Sequence, residues 1–218
     1  VGLWVDYIYL DTDERRRFAQ QSHEYLIEQL QRETGNMSTS KTLNFNHPVK
    51  QLIWVVQDET AITENTSAVA TDVNATQNIV NSSTETMADK NDYFNYHTNI
   101  NDDSEVIGGQ TSIEGFATAR LDLNGHERFA AKNASYFRTV QPAQAGHRVP
   151  DKHVYVYSFA LKPEEHQPSG TCNFSRIDNA KFLFTTAGTM SGTTLTVYAV
   201  NYNVLRIMSG MGGLAYSN

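Results

Sequence analysis

The sequence has few of the features that mark disulfide scaffolds, membrane proteins and duplex-DNA binders. Among its 218 residues Cys172 is the one cysteine, so no internal disulfide can form. No apolar run approaches the roughly 18–20 residues that a membrane-spanning helix needs. The opening residues, VGLWVDYIYL, have neither the basic start nor the cleavage site of a signal peptide. Charged residues make up only 19%, and the one tight basic cluster is Arg15–Arg17.

These shortages exclude several classes of protein. A duplex-DNA binder would normally carry a basic patch or stripe. We therefore expect no direct, sequence-specific contact with nucleic acid and no transmembrane segment. Asn, Ser, Thr and aromatic residues are plentiful instead, with 11 Tyr and 10 Phe. Such a composition is typical of turn-rich β proteins, and the length suffices for a core of its own.

The first part of the chain is predicted to hold a strand and then the one convincing helix. Residues 3–10 are rich in strand-forming side chains. Asp11 and Glu14 have the spacing of a capping box, which predicts a helix start. An apolar stripe extends that helix to about Arg32, with Gly35 as its stop. The stripe consists of Phe18, Leu26, Ile27 and Leu30.

Beyond residue 40 the pattern predicts about eight strands. Asn124-Gly125 is a strong turn signal, and a second turn is expected over 188–192. Eight strands with long, irregular loops predict an all-β protein, an eight-stranded antiparallel jelly-roll sandwich. The predicted strands are 42–46, 49–56, 114–123, 135–140, 153–161, 173–177, 180–186 and 193–208.

A long polar insertion separates two of these strands. Residues 58–90 contain 14 Ser, Thr or Asn among 33 residues and no aromatic, Gly or Pro. Between residues 58 and 105 there are ten acidic residues and one basic residue, so this segment carries a net charge of −9. We expect a surface insertion over about 58–105, because long loops within compact domains are usually functional or disordered.

The residues that could carry chemistry do not form a recognisable catalytic or metal site. The seven His include no His-x-His pair, which metal-binding jelly-roll enzymes need. The cluster Glu164-Glu165-His166 lies between two prolines and is interpreted as a solvated turn. Cys172 is interpreted as a packed thiol, and no Gly-x-Ser-x-Gly occurs. We predict no catalytic, cofactor-binding or metal-binding residue and no cofactor.

Three further motifs have plain structural interpretations. Gly210–Gly213 follows the last strand without a helix behind it, so it is interpreted as a flexible tail and not as a phosphate loop. Arg15–Arg17 lies among acidic residues and is expected to form ion pairs. Six Asn-x-Ser/Thr sequons are expected to stay unmodified in a chain without a signal peptide. They begin at Asn36, Asn65, Asn74, Asn81, Asn133 and Asn173.

Long blocks of the sequence closely resemble the major capsid proteins of nucleocytoplasmic large DNA viruses, of the iridovirus and algal-virus type. The blocks span the chain from end to end, and only the polar insertion and residues 143–152 lack a clear counterpart. They are DYIYLDTDERRRFAQ (6–20), HEYLIEQLQ (23–31), NHPVKQLIWVVQ (46–57), LNGHERF (123–129), YFRTVQP (136–142), VYSFALKPEEHQPSGTCNFSRIDNA (156–180) and YAVNYNVLRIMSGMGGLAYSN (198–218).

This resemblance implies a double jelly roll of which the chain is the C-terminal half. Residues 1–10 would then be the last strand of an N-terminal jelly roll, and 11–34 a helical connector. Residues 35–218 would be the complete second jelly roll. The resemblance also implies a structural, non-enzymatic role in pseudo-hexagonal homotrimers that tile an icosahedral virion capsid. Neighbouring capsomers and minor capsid proteins would be partners, and assembly would occur in the host cytoplasm.

Two other functions remain open from the residues alone. A carbohydrate-binding or host-attachment sandwich would need exposed aromatic side chains, and Trp54 is a candidate, although its apolar neighbours favour a core position. An enzyme on a jelly-roll scaffold is the weakest alternative, because fold alone does not determine function and no site is recognisable.

Overall fold

The computed structural model describes residues 2–58, 114–150, 153–185 and 193–216, and in these ranges it is a sandwich of two antiparallel sheets. One helix, α1, spans Thr12–Gln20. A π-helical turn (Tyr136–Val140), an α-helical turn (Gln141–Gln144) and a 3-10 turn (Phe174–Arg176) interrupt the strands. The strands are β1 (His23–Asn36), β2 (Ser40–Leu43), β3 (Pro48–Asp58), β4 (Thr118–Leu123), β5 (His126–Glu127), β6 (Lys132–Asn133), β7 (Val154–Ser158), β8 (Cys172–Asn173), β9 (Ala180–Thr185), β10 (Thr193–Met208) and β11 (Met211–Leu214).

The order of the strands is that of a jelly roll. Sheet A has the order β1-β10-β3-β7, with β8 added to β3 and β11 added to β10. Sheet B has the order β2-β9-β4-β5, with β6 added to β4. Because the chain crosses repeatedly between the sheets, strands distant in sequence become neighbours, as in a Greek key. The predicted fold class, an antiparallel jelly-roll sandwich, is confirmed.

The core lies between the sheets and is rich in aromatic rings. Trp54 on β3 is fully buried, and its ring centroid lies 4.9 Å from that of Phe182 on β9 and 5.2 Å from that of Phe137. Phe116 and Tyr155 pack on the same indole. Rings of this size remove a large apolar area from water, which is the main force that holds two such sheets together.

The strands richest in β-branched and aromatic residues lie where the sequence predicts them. The structure has β3, β9 and β10 at the predicted positions within a few residues. The turn at Asn124-Gly125 joins β4 to β5, and both residues have positive φ (51° and 81°), as a two-residue hairpin turn requires. The predicted insertion after residue 58 and the predicted turn over 188–192 lie outside the described residues.

The predicted helix over 11–34 is wrong beyond Gln20. Its start is confirmed, because the Asp11 side chain accepts a hydrogen bond from the backbone N–H of Glu14 at 2.8 Å. The helix ends at Gln20, and β1 pairs with β10 over its whole length, so the sandwich begins at His23 and not at residue 35. The ladder of backbone hydrogen bonds to β10 outweighs the helical propensity of this Glu- and Gln-rich segment.

Residues 2–10 form no strand within the described chain, where no neighbouring strand pairs with them, so their place as the last strand of an adjoining jelly roll stays a prediction. Two shorter predictions are wrong. Residues 136–144 are helical instead of a strand, and they bury Phe137 while Pro142 occupies a first-turn position of the α-helical turn. Gly210 lies in a turn rather than a tail, because β11 returns along β10 as a hairpin.

Candidate interaction surfaces

The three residues of the Glu164-Glu165-His166 cluster do not converge on one site. The Glu164 carboxylate lies 2.6 Å from Nδ1 of His147, whereas Glu165 pairs with Lys162 at 3.0 Å. His166 is exposed. These contacts fasten the loop after β7 to itself and to the segment that follows the helical turns. They leave no set of side chains that could act together on a substrate.

The thiol, the possible metal ligands and the basic cluster named in the sequence analysis also show no arrangement for catalysis or metal binding in the described residues. Burial raises the pKa of the Cys172 thiol, which keeps it protonated at neutral pH and weakens it as a nucleophile. Within residues 2–58, 114–150, 153–185 and 193–216 no cluster of three His, Cys, Asp or Glu side chains has a geometry that could hold a metal ion. Among the Arg15–Arg17 side chains, Arg16 pairs with Asp13 at 3.3 Å, as the sequence predicts.

Trp54 cannot stack on a ligand at the surface. Its side chain has no exposed area, and aromatic rings from both sheets surround it. The core interpretation of this residue is therefore correct. Exposed aromatic side chains lie instead in residues 2–10, where Trp4 is 97% exposed, and at Tyr25 and Tyr216.

A cluster of polar side chains surrounds the carboxylate of Glu114, the residue at which the described chain resumes. The Tyr155 hydroxyl donates to Oε2 of Glu114 at 2.8 Å, and Nε of Arg138 donates to Oε1 at 2.9 Å. Nε2 of His153 lies 3.8 Å from the same carboxylate. The backbone N–H of Gly115 donates to the Tyr155 hydroxyl at 3.2 Å. Glu114 thus joins β7, the helical turns and the approach to β4.

The phenol of Tyr155 is strongly held in its neutral form. Burial raises its pKa far above the usual range, and the negative charge of Glu114 raises it further. A neutral hydroxyl can donate to the carboxylate, whereas a phenolate could not. The cluster therefore depends on a protonated tyrosine beside an ionised glutamate.

Gly115 brings the two flanks of the 59–113 segment into contact. A Cβ on Gly115 would lie 2.9 Å from Cβ of Val56, the residue two positions before the end of β3. Real Cβ atoms do not approach that closely, so this site needs glycine. Phe116, which follows, is fully buried against Trp54 and Phe184. The ends of the two described ranges, at Asp58 and Glu114, therefore flank one place in the sandwich.

The outward-facing sides of the two sheets differ in polarity. In sheet B this side carries charges, with Arg120 on β4 pairing with Asp122 at 2.9 Å, and Lys181 on β9 opposite Asp122. In sheet A the corresponding side also has charged residues on β1, namely Glu24, Glu28 and Arg32, but it carries aliphatic residues on all four main strands. They are Leu26 and Leu30 on β1, Val200 and Val204 on β10, Ile53 and Val55 on β3, and Val154 and Val156 on β7.

The described sequons are accessible. Asn36, Asn133 and Asn173 are exposed, and the Asn173 side chain accepts a hydrogen bond from the N–H of Ser175. The other three sequons lie outside the described residues. In the described part of the chain no helix is long and apolar enough to cross a membrane.

Comparison with known sequences gives one consistent result. The sequence model of the family described as large eukaryotic DNA virus major capsid protein matches residues 14–213. The chain is 45% identical to the major capsid protein of Pyramimonas orientalis virus and 42% identical to that of Paramecium bursaria Chlorella virus 1. Each match covers 100% of this chain but only 49% and 54% of the relative, respectively. The chain thus spans about half the length of the curated relatives it matches.

Comparison with solved structures agrees. A chain of a quasi-atomic model of the PBCV-1 virus capsid superimposes with a TM-score of 0.65 at 38% identity, covering 97% of this chain and 56% of that chain. The Faustovirus major capsid protein superimposes with a TM-score of 0.51 at 16% identity and covers 88% of this chain, which supports the fold alone.

Proposed function

Because this chain belongs to the family of large eukaryotic DNA virus major capsid proteins, we propose that the polypeptide carrying it is a structural subunit of a viral shell. It acts by self-association and catalyses no reaction. The observation that carries the proposal is the superposition of 97% of the chain on a capsid chain at 38% identity. At that identity the fold is shared, so the same sandwich can serve the same structural purpose.

The assembly we propose is a homotrimer with a pseudo-hexagonal outline that tiles an icosahedral capsid. Neighbouring capsomers and minor capsid proteins are its further partners, and assembly takes place in the host cytoplasm. Rigid sandwiches suit this task, since a shell needs subunits whose surfaces keep a fixed geometry. The aromatic core and the Glu114 cluster supply such rigidity here.

Residues 1–10 serve, in this proposal, as the last strand of an adjoining jelly roll. Large apolar side chains occupy both alternating faces of this segment, including Trp4 and Ile8 on one face and Leu3 and Tyr7 on the other. A strand that is apolar on both faces belongs inside a sheet that is covered on both sides. Helix α1 then connects the two units, and the second jelly roll starts at β1.

We place the acidic insertion over about 58–105 on the outer face of the shell. Its −9 charge would give particles a negative surface and keep them apart in solution. The contact between Gly115 and Val56 supports this role, because a segment attached at one narrow place can vary without disturbing the sandwich. Brief proteolysis of intact particles should cut first in this segment, and particles in which it is spared would contradict the placement.

The competing functions have less support. Carbohydrate binding through Trp54 is not favoured, since the side chain is fully buried. The separation of Glu164 and Glu165 into different ion pairs gives no support to an enzyme.

Mass spectrometry of purified virus particles tests the proposed function. A shell protein should be among the most abundant polypeptides and should remain with the particle after a high-salt wash. Recovery only in the soluble fraction of infected cells would contradict a structural role.

A further inference from the structure

The β1–β10 side of sheet A carries an apolar patch that the sandwich itself does not cover. Leu26 is 52% exposed and Leu30 is 63% exposed, although both lie in a regular strand. In the antiparallel register Leu26 is directly opposite Val204 and Leu30 is opposite Val200. Residues directly opposite share a face, so these four side chains form two apolar pairs on that face, with Glu28 and Tyr202 between them. We call them the β1 patch.

The β1 patch faces away from the core. The alternate residues of β10, Leu195, Val197 and Ala199, are the ones that belong to the core, and their partners on β1 are Gly35, Glu33 and Gln31. Because side chains alternate along a strand, Leu26 and Leu30 must point outward. An outward face of an antiparallel sandwich is normally polar, as sheet B is here with Arg120, Asp122 and Lys181.

The charge that lies within the patch is neutralised inside the chain, whereas Arg32, two positions beyond Leu30 on the same face, is exposed at its margin. Glu28 lies between Leu26 and Leu30, and its carboxylate pairs with Nζ of Lys50 at 2.6 Å. Lys50 is brought to this side by a bulge in β3, and it also donates to the Pro163 carbonyl at 2.7 Å and lies over the Tyr202 ring. A partner could therefore cover the patch without burying an unpaired charge, which would be costly.

The edge of the sheet is available beside the patch. In the part of the chain that the structure describes, β1 pairs only with β10, so its other edge meets no strand over 14 residues. A long open edge next to exposed leucines is an aggregation hazard unless a partner covers it.

We propose that the β1 patch docks a second copy of the same polypeptide. This inference rests on the proposed function, because a shell of identical subunits requires each copy to present apolar surface to another. The contrast between the two sheets favours this side: the β1–β10 part of sheet A exposes two leucines beside an ion pair formed within the chain, whereas the outward side of sheet B presents the ion pairs of Arg120 with Asp122 and Glu127. The flanking polypeptide has a separate apolar contact to make, through residues 2–10.

The test compares charged variants of the two edge strands in the full-length polypeptide. Leu26→Asp with Leu30→Asp places two carboxylates in the patch. Ser40→Asp with Thr42→Asp, on the edge strand β2 of sheet B, is the matched control at two exposed, outward-facing positions. Light scattering after gel filtration should give the assembled mass for the wild type and the control. The patch variant should need at least 100-fold higher concentration to assemble, with an unchanged circular dichroism spectrum.

The outcomes separate this inference from the proposed function. A wild type that assembles together with a patch variant that assembles equally well would overturn the inference and leave the shell role standing. A wild type that stays monomeric would overturn both. Failure of the patch variant to fold, judged by loss of its melting transition, calls for a second measurement that leaves the wild-type contacts largely intact.

That second measurement is photo-cross-linking from a benzoylphenylalanine placed at position 30, with position 42 as the control. The inference predicts a product of twice the polypeptide mass from position 30 and none from position 42. Cross-links from position 30 that stay within one polypeptide would mean that another part of the same chain covers the patch. That result, or the absence of any cross-link, would overturn the inference.

Discussion

The Tyr155 hydroxyl donates to Glu114 at 2.8 Å, and this bond connects β7, the last strand in the order of sheet A, with the place where the described chain resumes at residue 114. Arg138 holds the second carboxylate oxygen from the helical turns. One carboxylate therefore fixes three parts of the sandwich that are far apart in sequence. The stability of the protein should therefore depend on the charge of Glu114 and on the protonated phenol of Tyr155.

Glu114→Gln should destabilise the protein by about 2 kcal/mol, because it leaves the buried part of the Arg138 guanidinium without its counter-charge. Urea unfolding at pH 7 measures the loss. Glu165→Gln is the control, since Glu165 pairs with Lys162 at the surface and such pairs contribute roughly 0–1 kcal/mol. Equal effects of the two substitutions would show that the cluster around Glu114 has no special role.

The raised pKa of Tyr155 predicts a loss of stability in alkali. The folded protein holds this proton more tightly than the unfolded chain does, so the contribution is complete below about pH 10, the value of a free tyrosine, and falls as the pH rises above it. Burial shifts the pKa of Tyr157 in the same direction. Urea unfolding at pH 8 and at about pH 10.5 should show a smaller decrease in Tyr155→Phe than in the wild type. An identical decrease in both proteins would contradict the prediction.

Gly115→Ala should lower the free energy of unfolding by roughly 1–3 kcal/mol, because the new methyl group would overpack the core against Val56. Gly213→Ala is the matched control, since nothing lies within 4 Å of its added Cβ. Gly115→Ala should cost less in a Val56→Gly background, because that change removes the Cβ atom that the new methyl group would meet, and a double-mutant cycle by urea unfolding measures that coupling. Additive effects of the two substitutions would mean that the contact is not close in solution.

Trp54→Ala should destabilise the sandwich by about 3–5 kcal/mol, because a fully buried indole leaves a large cavity. Leu161→Ala, at a side chain that is 79% exposed, should change the stability by less than about 0.5 kcal/mol. Thermal unfolding of both variants measures the difference. A small effect at Trp54 would contradict its place at the centre of the core.

The strands with an unambiguous composition could be predicted from the sequence. β3 contains a continuous run of apolar residues, Ile53–Val56, and β10 is rich in β-branched and aromatic side chains, so local preference and tertiary pairing agree in both. The hairpin at Asn124-Gly125 has the same basis, since few residues other than Asn and Gly adopt two successive positive φ angles readily.

β1 could not be predicted in this way, because its sequence favours a helix while its pairing with β10 makes it a strand. Leu26, Ile27 and Leu30 have helical spacing, and Glu and Gln favour helices. In the strand, Ile27 faces inward while Leu26 and Leu30 face outward. The strand of an isolated sandwich would normally carry polar residues, not leucines, on its outward side. Leu26 and Leu30, which gave the helical spacing, are the β1 residues of the β1 patch, where a partner is proposed.

The polar contacts around Glu114 could not be predicted from the sequence for a different reason. Glu114, Arg138 and Tyr155 are separated by 24 and 17 positions, and no local spacing reveals that they meet. Nothing in composition or periodicity distinguishes Glu114 from the acidic residues just before it. Only the sheet topology, which brings β7 beside β3 and β4 across the core, assembles the cluster.

The mass of the full-length polypeptide in solution tests the central claim most directly. Light scattering after gel filtration at micromolar concentration should give three times the polypeptide mass, as a capsomer-forming shell protein requires. A stable monomer under these conditions would contradict the account of this chain as part of a self-assembling capsid subunit.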